Sequence, residues 1–108
     1  MAMMLGSSDL LRAWVLSTLA DLATDDEHHA RLRDTLLVFL QMGGSYKATA
    51  ERLTVHKNTI QYRLRRAEES LGRPVGENQH DVELALRASY WLGSSVLKPA
   101  RERSANPP

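Results

Sequence analysis

Residues 48–66 read ATAERLTVHKNTIQYRLRR, and the fold of the chain turns on them. A short helical pattern ends at Leu53, three residues intervene, and a second helical pattern begins near Lys57. With Ile60 set at zero and about 100° per residue, Leu64, Ala67 and Leu71 fall within about 40° of it. Asn58, Tyr62 and Arg65 fall within about 40° of the opposite pole. Gln61 and Lys57 flank one edge of that polar face, and Arg66 lies toward the other. One side of this helix is therefore apolar and buried, and the other carries hydrogen-bond donors. Two helices joined by the Thr54-Val55-His56 connection have the dimensions of a helix-turn-helix. Ala50 suits the steep crossing because a methyl group occupies little room there. Val55 and Ile60 are placed to fill the space beneath the turn. Thr54 stands where such turns often have glycine.

Outward from this pair the apolar spacing is helical almost throughout, with no sustained period-two run that would make a strand. The first helix is expected to start after Ser7-Ser8, with a serine as N-cap and Asp9 near the positive end of the dipole. Leu11, Val15, Leu16 and Leu19 form its stripe, Trp14 sits toward the flank, and the helix fades near Ala23. The run Thr24-Asp25-Asp26-Glu27 has the form of a capping box, with Thr24 as cap and Glu27 reaching back. Leu32, Leu36, Phe39 and Leu40 mark one face of a second helix running to about Met42, ended by Gly43 and followed by a Gly44-Ser45 turn. The third helix covers about Tyr46 to Leu53, with Tyr46, Ala50 and Leu53 inward. The fourth runs to about Leu71 and stops at Gly72, and Pro74 and Gly76 keep the next loop open. A fifth starts at Asn78 or a neighbour. Its Val82, Leu84, Ala85, Leu86, Ala88, Trp91 and Leu92 make a wide apolar surface, suited to core or to a dimer contact. The expected fold is all-α, a five-helix domain containing a helix-turn-helix. Residues 1–27 read as an N-terminal helix or linker, 28–93 as the helix-turn-helix domain, and 94–108 as a solvated tail.

Length and composition narrow the function classes. The 108 residues allow one domain with a modest core. A content of 43% hydrophobic and 25% charged residues is ordinary for a globular protein. No run of about 18 apolar residues is present, so no membrane partner is expected, and the opening MAMMLGSS lacks the form of a signal peptide. The absence of cysteine removes disulfides, thiolate metal sites and cysteine nucleophiles, and suits a cytoplasmic setting. His28 and His29 are adjacent and point to different sides of a helix, so they make no two-ligand metal site. Glu68 and Glu69 do not converge on one point for acid–base chemistry, and no Ser/His/Asp set or glycine-rich phosphate loop occurs. The chain is not expected to be an enzyme, and no cofactor or small-molecule ligand is expected.

Net charge is only +1, but its distribution is uneven. Residues 21–34 hold Asp21, Asp25, Asp26, Glu27 and Asp34 against Arg31 and Arg33, a net of −3. Residues 45–66 hold Lys47, Arg52, Lys57, Arg63, Arg65 and Arg66 against Glu51, a net of +5. A basic stretch around a helix-turn-helix is the electrostatic footprint of a nucleic-acid partner. The major groove of double-stranded DNA admits one α-helix, whose amide and guanidinium groups pair with base edges. On this reading His56, Lys57, Asn58, Gln61 and Tyr62 face bases. Ser45, Lys47, Thr59, Arg63, Arg65 and Arg66 hold phosphates, which sets position and salt dependence.

The stretch LRDTLLVFLQMGGSYKATAERLTVHKNTIQYRLRRAEESLG, followed by VELALRA, resembles the C-terminal helix-turn-helix of the PucR/CdaR family of bacterial transcription regulators. The resemblance covers roughly residues 32–90. Its diagnostic pieces are Gly43-Gly44-Ser45, Ala48-Thr49-Ala50, Val55 through Ile60, Tyr62-Arg63-Leu64, Leu71-Gly72-Arg73 and Glu83 through Leu86. The paired helices are also similar to the DNA-binding end of Fis-type proteins, which implies base contacts from His56, Lys57, Gln61 and Tyr62 and phosphate contacts from Ser45 and Thr59. The family implies the output module of a longer regulator, and hence a fragment here; the expected location is cytoplasmic, at the nucleoid when bound to DNA. Where the family often has Ile-Glu-Glu, this chain has Ala67-Glu68-Glu69. A homodimer is expected, because one module reads few base pairs. The rival reading is a helical dimerisation or protein-docking module that uses its arginines for protein contacts.

Overall fold

A computed structural model of the chain describes residues 2–100, with side chains from Asp9 onward. Five helices follow in order: α1 (Ala2–Leu19), α2 (Glu27–Gln41), α3 (Tyr46–Leu53), α4 (Lys57–Leu71) and α5 (Gln79–Leu92). The fold is all-α, with α3 and α4 as the helix-turn-helix. α2 packs on α4, α3 on both, and α1 lies along α5. One core gathers Val15 and Leu19 from α1, Leu32, Leu36 and Leu40 from α2, Ile60, Leu64 and Leu71 from α4, and Val82 and Leu86 from α5. Burial of these stripes against one another supplies the main drive for folding.

The helix ends have local causes. α2 begins on Asp26, whose carboxylate accepts from the His29 N–H at 2.8 Å. It ends at Gln41 with Met42 as its C-cap, and Gly43 and Gly44 then take positive φ angles of 67° and 83°, which two successive L side chains would resist. Ser45 caps α3 by accepting from Ala48 N–H at 3.0 Å, and Gly72 closes α4 in a left-handed conformation. Ala67 is wholly buried at its smaller size, so α4 runs without a break to Leu71.

Several sequence expectations are corrected. Of the tail expected over 94–108, residues 101–108 lie outside the described residues, and residues 94–100 are not solvated throughout. After a 3₁₀ turn at Gly93–Ser95, Val96 and Leu97 enter the core, and Lys98–Pro99 (β2) pairs in parallel with Thr24–Asp25 (β1). Strands of two residues carry no readable alternation. The helix cap falls on Asp26 and not Thr24, whose hydroxyl turns back to donate to the Asp21 carbonyl at 2.7 Å. α1 extends through Ser7-Ser8 and does not start after them, and a 3₁₀ turn at Ala20–Ala23 follows it. Residues 9–23 are no detached linker: Val15, Leu19, Leu22 and Ala23 are buried. Leu11 is exposed, whereas Thr18 is buried in its stead. Tyr46 faces outward, and Thr49 takes the inward position with its hydroxyl donating to the Ser45 carbonyl at 2.7 Å. The broad apolar surface of α5 divides into a buried arc and an exposed one that carries Leu84, Trp91 and Leu92.

Buried arginine ties the pieces together. Arg33 of α2 donates from one terminal nitrogen to the Leu22 carbonyl at 2.8 Å and the Thr24 carbonyl at 2.6 Å. Burial pulls its guanidinium below the ordinary range, with Asp25, Asp34 and Asp26 opposing that shift. Arg73, just past α4, donates to the Thr18 carbonyl of α1 at 2.9 Å. Together these bonds seat the 3₁₀ turn on α2 and α1 on the end of α4.

Candidate nucleic-acid interface

The interface is built on the rotation of α4. Ile60, Leu64, Ala67 and Leu71 are all buried, as their spacing requires. Asn58, Gln61, Tyr62 and Arg65 are all exposed, Tyr62 at 54% of its area. The apolar anchor therefore fixes which donors face outward. The connection from α3 is tight: Thr54 sits left-handed at φ 59° and ψ 47°, and Val55 N–H donates back to the Ala50 carbonyl at 3.0 Å. Ala50 is buried at the crossing and Val55 half-buried below it.

The first turn of α4 is held by His56, whose ring Nδ1 accepts from the Asn58 N–H at 3.0 Å. That bond makes His56 an N-cap and leaves its outer edge exposed. Lys57 and the Asn58 side chain are exposed beside it, and Thr59 is half-buried. Along the outer face the Arg66 guanidinium stands 5.8 Å from the centre of the Tyr62 ring and pairs with Glu69 at 3.2 Å. Cation–π contact at an exposed site contributes about 0.5–1 kcal/mol, a modest bias on the two side chains. Arg63 differs from its neighbours. It is half-buried and turned toward α2, where it donates to the Thr35 hydroxyl at 3.4 Å.

From α3 and its cap come Ser45, half-buried and engaged as the cap acceptor, and Lys47, exposed in the first turn. Arg52 is exposed in the last turn of α3, a basic residue for which helical spacing alone suggests no contact. Gln61 and Arg65 also line an open recess of about 340 Å³ with Phe39, Tyr46, Leu64, Glu68 and Val75. Phe39 and Tyr46 meet edge to face there at 5.2 Å, and the Glu68 carboxylate accepts from Val75 N–H at 2.9 Å. These flanking roles leave no trace in the periodicity, since Phe39 reads as core and Glu68 as solvated surface. His29, by contrast, is engaged with Asp26 through both its backbone and its ring.

Among the described residues no helix is long and apolar enough to cross a membrane. No solved structure matches the chain. The purine catabolism regulatory protein of Bacillus subtilis (strain 168) is 37% identical over 76 residues, 70% of this chain and 14% of that protein. The transcriptional activator PmfR of Paenarthrobacter nicotinovorans is 32% identical over 92 residues, 85% of this chain and 18% of the activator. An uncharacterised protein from the pkwA 5′ region of Thermomonospora curvata is 38% identical over 94 residues, 87% of this chain and 52% of its own length. The chain thus spans about half or less of the relatives it matches. The family of PucR C-terminal helix-turn-helix domains matches residues 32–88, more than half of the chain and the whole of α3 and α4. The chain belongs to that family, a helix-turn-helix domain of transcription regulators.

Proposed function

We propose that the domain binds double-stranded DNA in a sequence-specific manner, with α4 in the major groove, as the output module of a bacterial transcription regulator acting in the cytoplasm at the nucleoid. One observation carries this reading. A helix locked in rotation by Ile60, Leu64, Ala67 and Leu71 presents Asn58, Gln61, Tyr62 and Arg65 on its free face, within a stretch of net charge +5. Rigid presentation of amide and guanidinium donors is what base discrimination needs. The names of two relatives, a regulatory protein and a transcriptional activator, point the same way.

In this reading His56, Lys57, Asn58, Gln61 and Tyr62 meet base edges from the leading turns of α4. Ser45, Lys47, Thr59, Arg65 and Arg66 hold the flanking phosphates. The Ser45 hydroxyl accepts the Ala48 N–H and still has its proton to donate to a phosphate oxygen. Arg63 joins them by exchanging its long bond to Thr35 for a phosphate, which a charge-assisted contact favours. Selection of duplexes from a random pool, followed by a salt titration on the winning site, tests the proposal. A recovered consensus, with affinity falling log-linearly as salt rises, supports it. Recovery of no consensus, or an affinity indifferent to salt, contradicts it and favours a protein-docking role for the arginines.

A further inference from the structure

α5 carries two apolar arcs. Val82, Ala85, Leu86 and Ser89 are buried. Leu84, Ala88, Trp91 and Leu92 fall in a neighbouring arc of about 100° at 3.6 residues per turn. Of these, Leu84 is 49% exposed, Trp91 78% and Leu92 43%. α1 packs along α5, and Arg12 donates to the Leu97 carbonyl at 3.2 Å, which holds this part of α1 beside the chain that follows α5. On α1 itself Leu10 and Leu11 are also exposed, at 72% and 37%.

We propose that this α1–α5 face closes against a second copy of the chain. Area is the first argument. At about 200 Å² for each large side chain, Leu84, Trp91 and Leu92 leave roughly 340 Å² exposed on α5, and Leu10 and Leu11 add roughly 220 Å² on the adjoining α1, against about 300–600 Å² for the largest patch of a lone monomer. A standard interface takes about 800 Å² from each partner, so the face supplies most of one side. Charge is the second. Glu83 and Arg87 border the arc and neutralise each other at 3.1 Å, so that pair neither repels an identical face nor attracts phosphate. Register is the third. A two-fold axis through Ala88 of an antiparallel α5 pair sets Leu84 of each protomer against Leu92 of the other, and the Ala88 methyl permits close approach. Trp91 then lies along the seam as the large anchor that such interfaces depend on.

The face is carried by different helices from the proposed DNA contacts, which come from α3 and α4, whereas Leu84, Trp91 and Leu92 stand on α5. Two copies joined this way keep both fourth helices free. Only this last consequence rests on the DNA-binding reading.

Sedimentation equilibrium of the full chain tests the proposal without DNA. A reversible dimer is expected, weakened at least about tenfold by Trp91→Asp and unmoved by Arg66→Ala. Circular dichroism shows whether the exposed Trp91 site has been changed without loss of helix, and Leu84→Asp serves as the second variant. The dimer should hold or tighten as salt rises, opposite to DNA binding, so the two readings fail separately. A chain that stays monomeric up to sub-millimolar concentration, or dimers that both variants leave intact, would overturn it. So would a monomer that instead binds zwitterionic phospholipid vesicles through Trp91, which would assign the face to a lipid surface.

Discussion

Thr54 is the residue to change first. It closes α3 in the left-handed region, at φ 59° and ψ 47°, with its own N–H directed at the Ala50 and Glu51 carbonyls. An L residue there brings Cβ close to the following carbonyl, at about 1–2 kcal/mol. Threonine adds branching at Cβ, and its exposed side chain buries nothing in return. Thr54→Gly removes that crowding but gives the unfolded chain more freedom, which costs about 0.5–1 kcal/mol. The net expectation is a gain of about 0.5–1 kcal/mol. With a urea slope of about 1.5 kcal/mol per molar, the unfolding midpoint moves up by about 0.5 M. Thr54→Ala keeps the Cβ and should shift it much less. Affinity for DNA should stay the same, because His56 and not Thr54 holds the start of α4. An unchanged or lower midpoint in Thr54→Gly would refute the strain assigned to this turn.

Three further outcomes follow from the structure. Ile60→Ala, at a position with no exposure, should cost about 2–5 kcal/mol in thermal or urea melts and loosen the rotation of α4. Asp26→Ala should cost about 1 kcal/mol through loss of the α2 cap. Burial works against the Asp26 carboxylate, but hydrogen bonds from the His29 N–H and ring, with the charges of His29 and His28, outweigh it and hold the pKa below the ordinary 3.8. Its folded-state value being depressed, the contribution is present above 3.8 and disappears as the pH falls through the lower folded value, so acid melts of the two proteins should converge. Gln61→Ala should relax the preference among duplexes in competition assays, whereas Arg66→Ala should weaken all duplexes alike and lower the salt slope by about one.

What the sequence makes legible follows from which forces act locally. α4 reads clearly because one 3.6-residue stripe, Ile60 to Leu71, decides both its existence and its outward face. The glycine pair after α2 and Gly72 after α4 read clearly because left-handed backbone leaves few residue choices. Thr49 is misplaced by hydropathy because its hydroxyl is satisfied by the Ser45 carbonyl, which makes a polar residue suitable for the core. Val96 and Leu97 are two apolar residues among Ser, Lys and Pro, too few for a periodic signal. Their burial is set by tertiary contact with what precedes α2, through the β1–β2 pairing. The candidate site divides in the same way. Exposure of Tyr62, Arg65 and Gln61 is fixed by the wheel, which also sets Arg63 about 60° from Ile60 and so beside the buried stripe, but its bond to Thr35 and the cap formed by His56 depend on neighbours that the wheel does not contain.

The central claim concerns which surface meets the nucleic acid. Backbone amide shifts of the isotopically labelled chain, followed by NMR while a selected duplex is added, address it directly. The account predicts the largest changes from Lys57 through Arg66 and around Ser45 and Lys47, with α5 nearly still. Changes centred on Leu84 to Leu92, with Asn58, Gln61, Tyr62 and Arg65 unmoved, would contradict it.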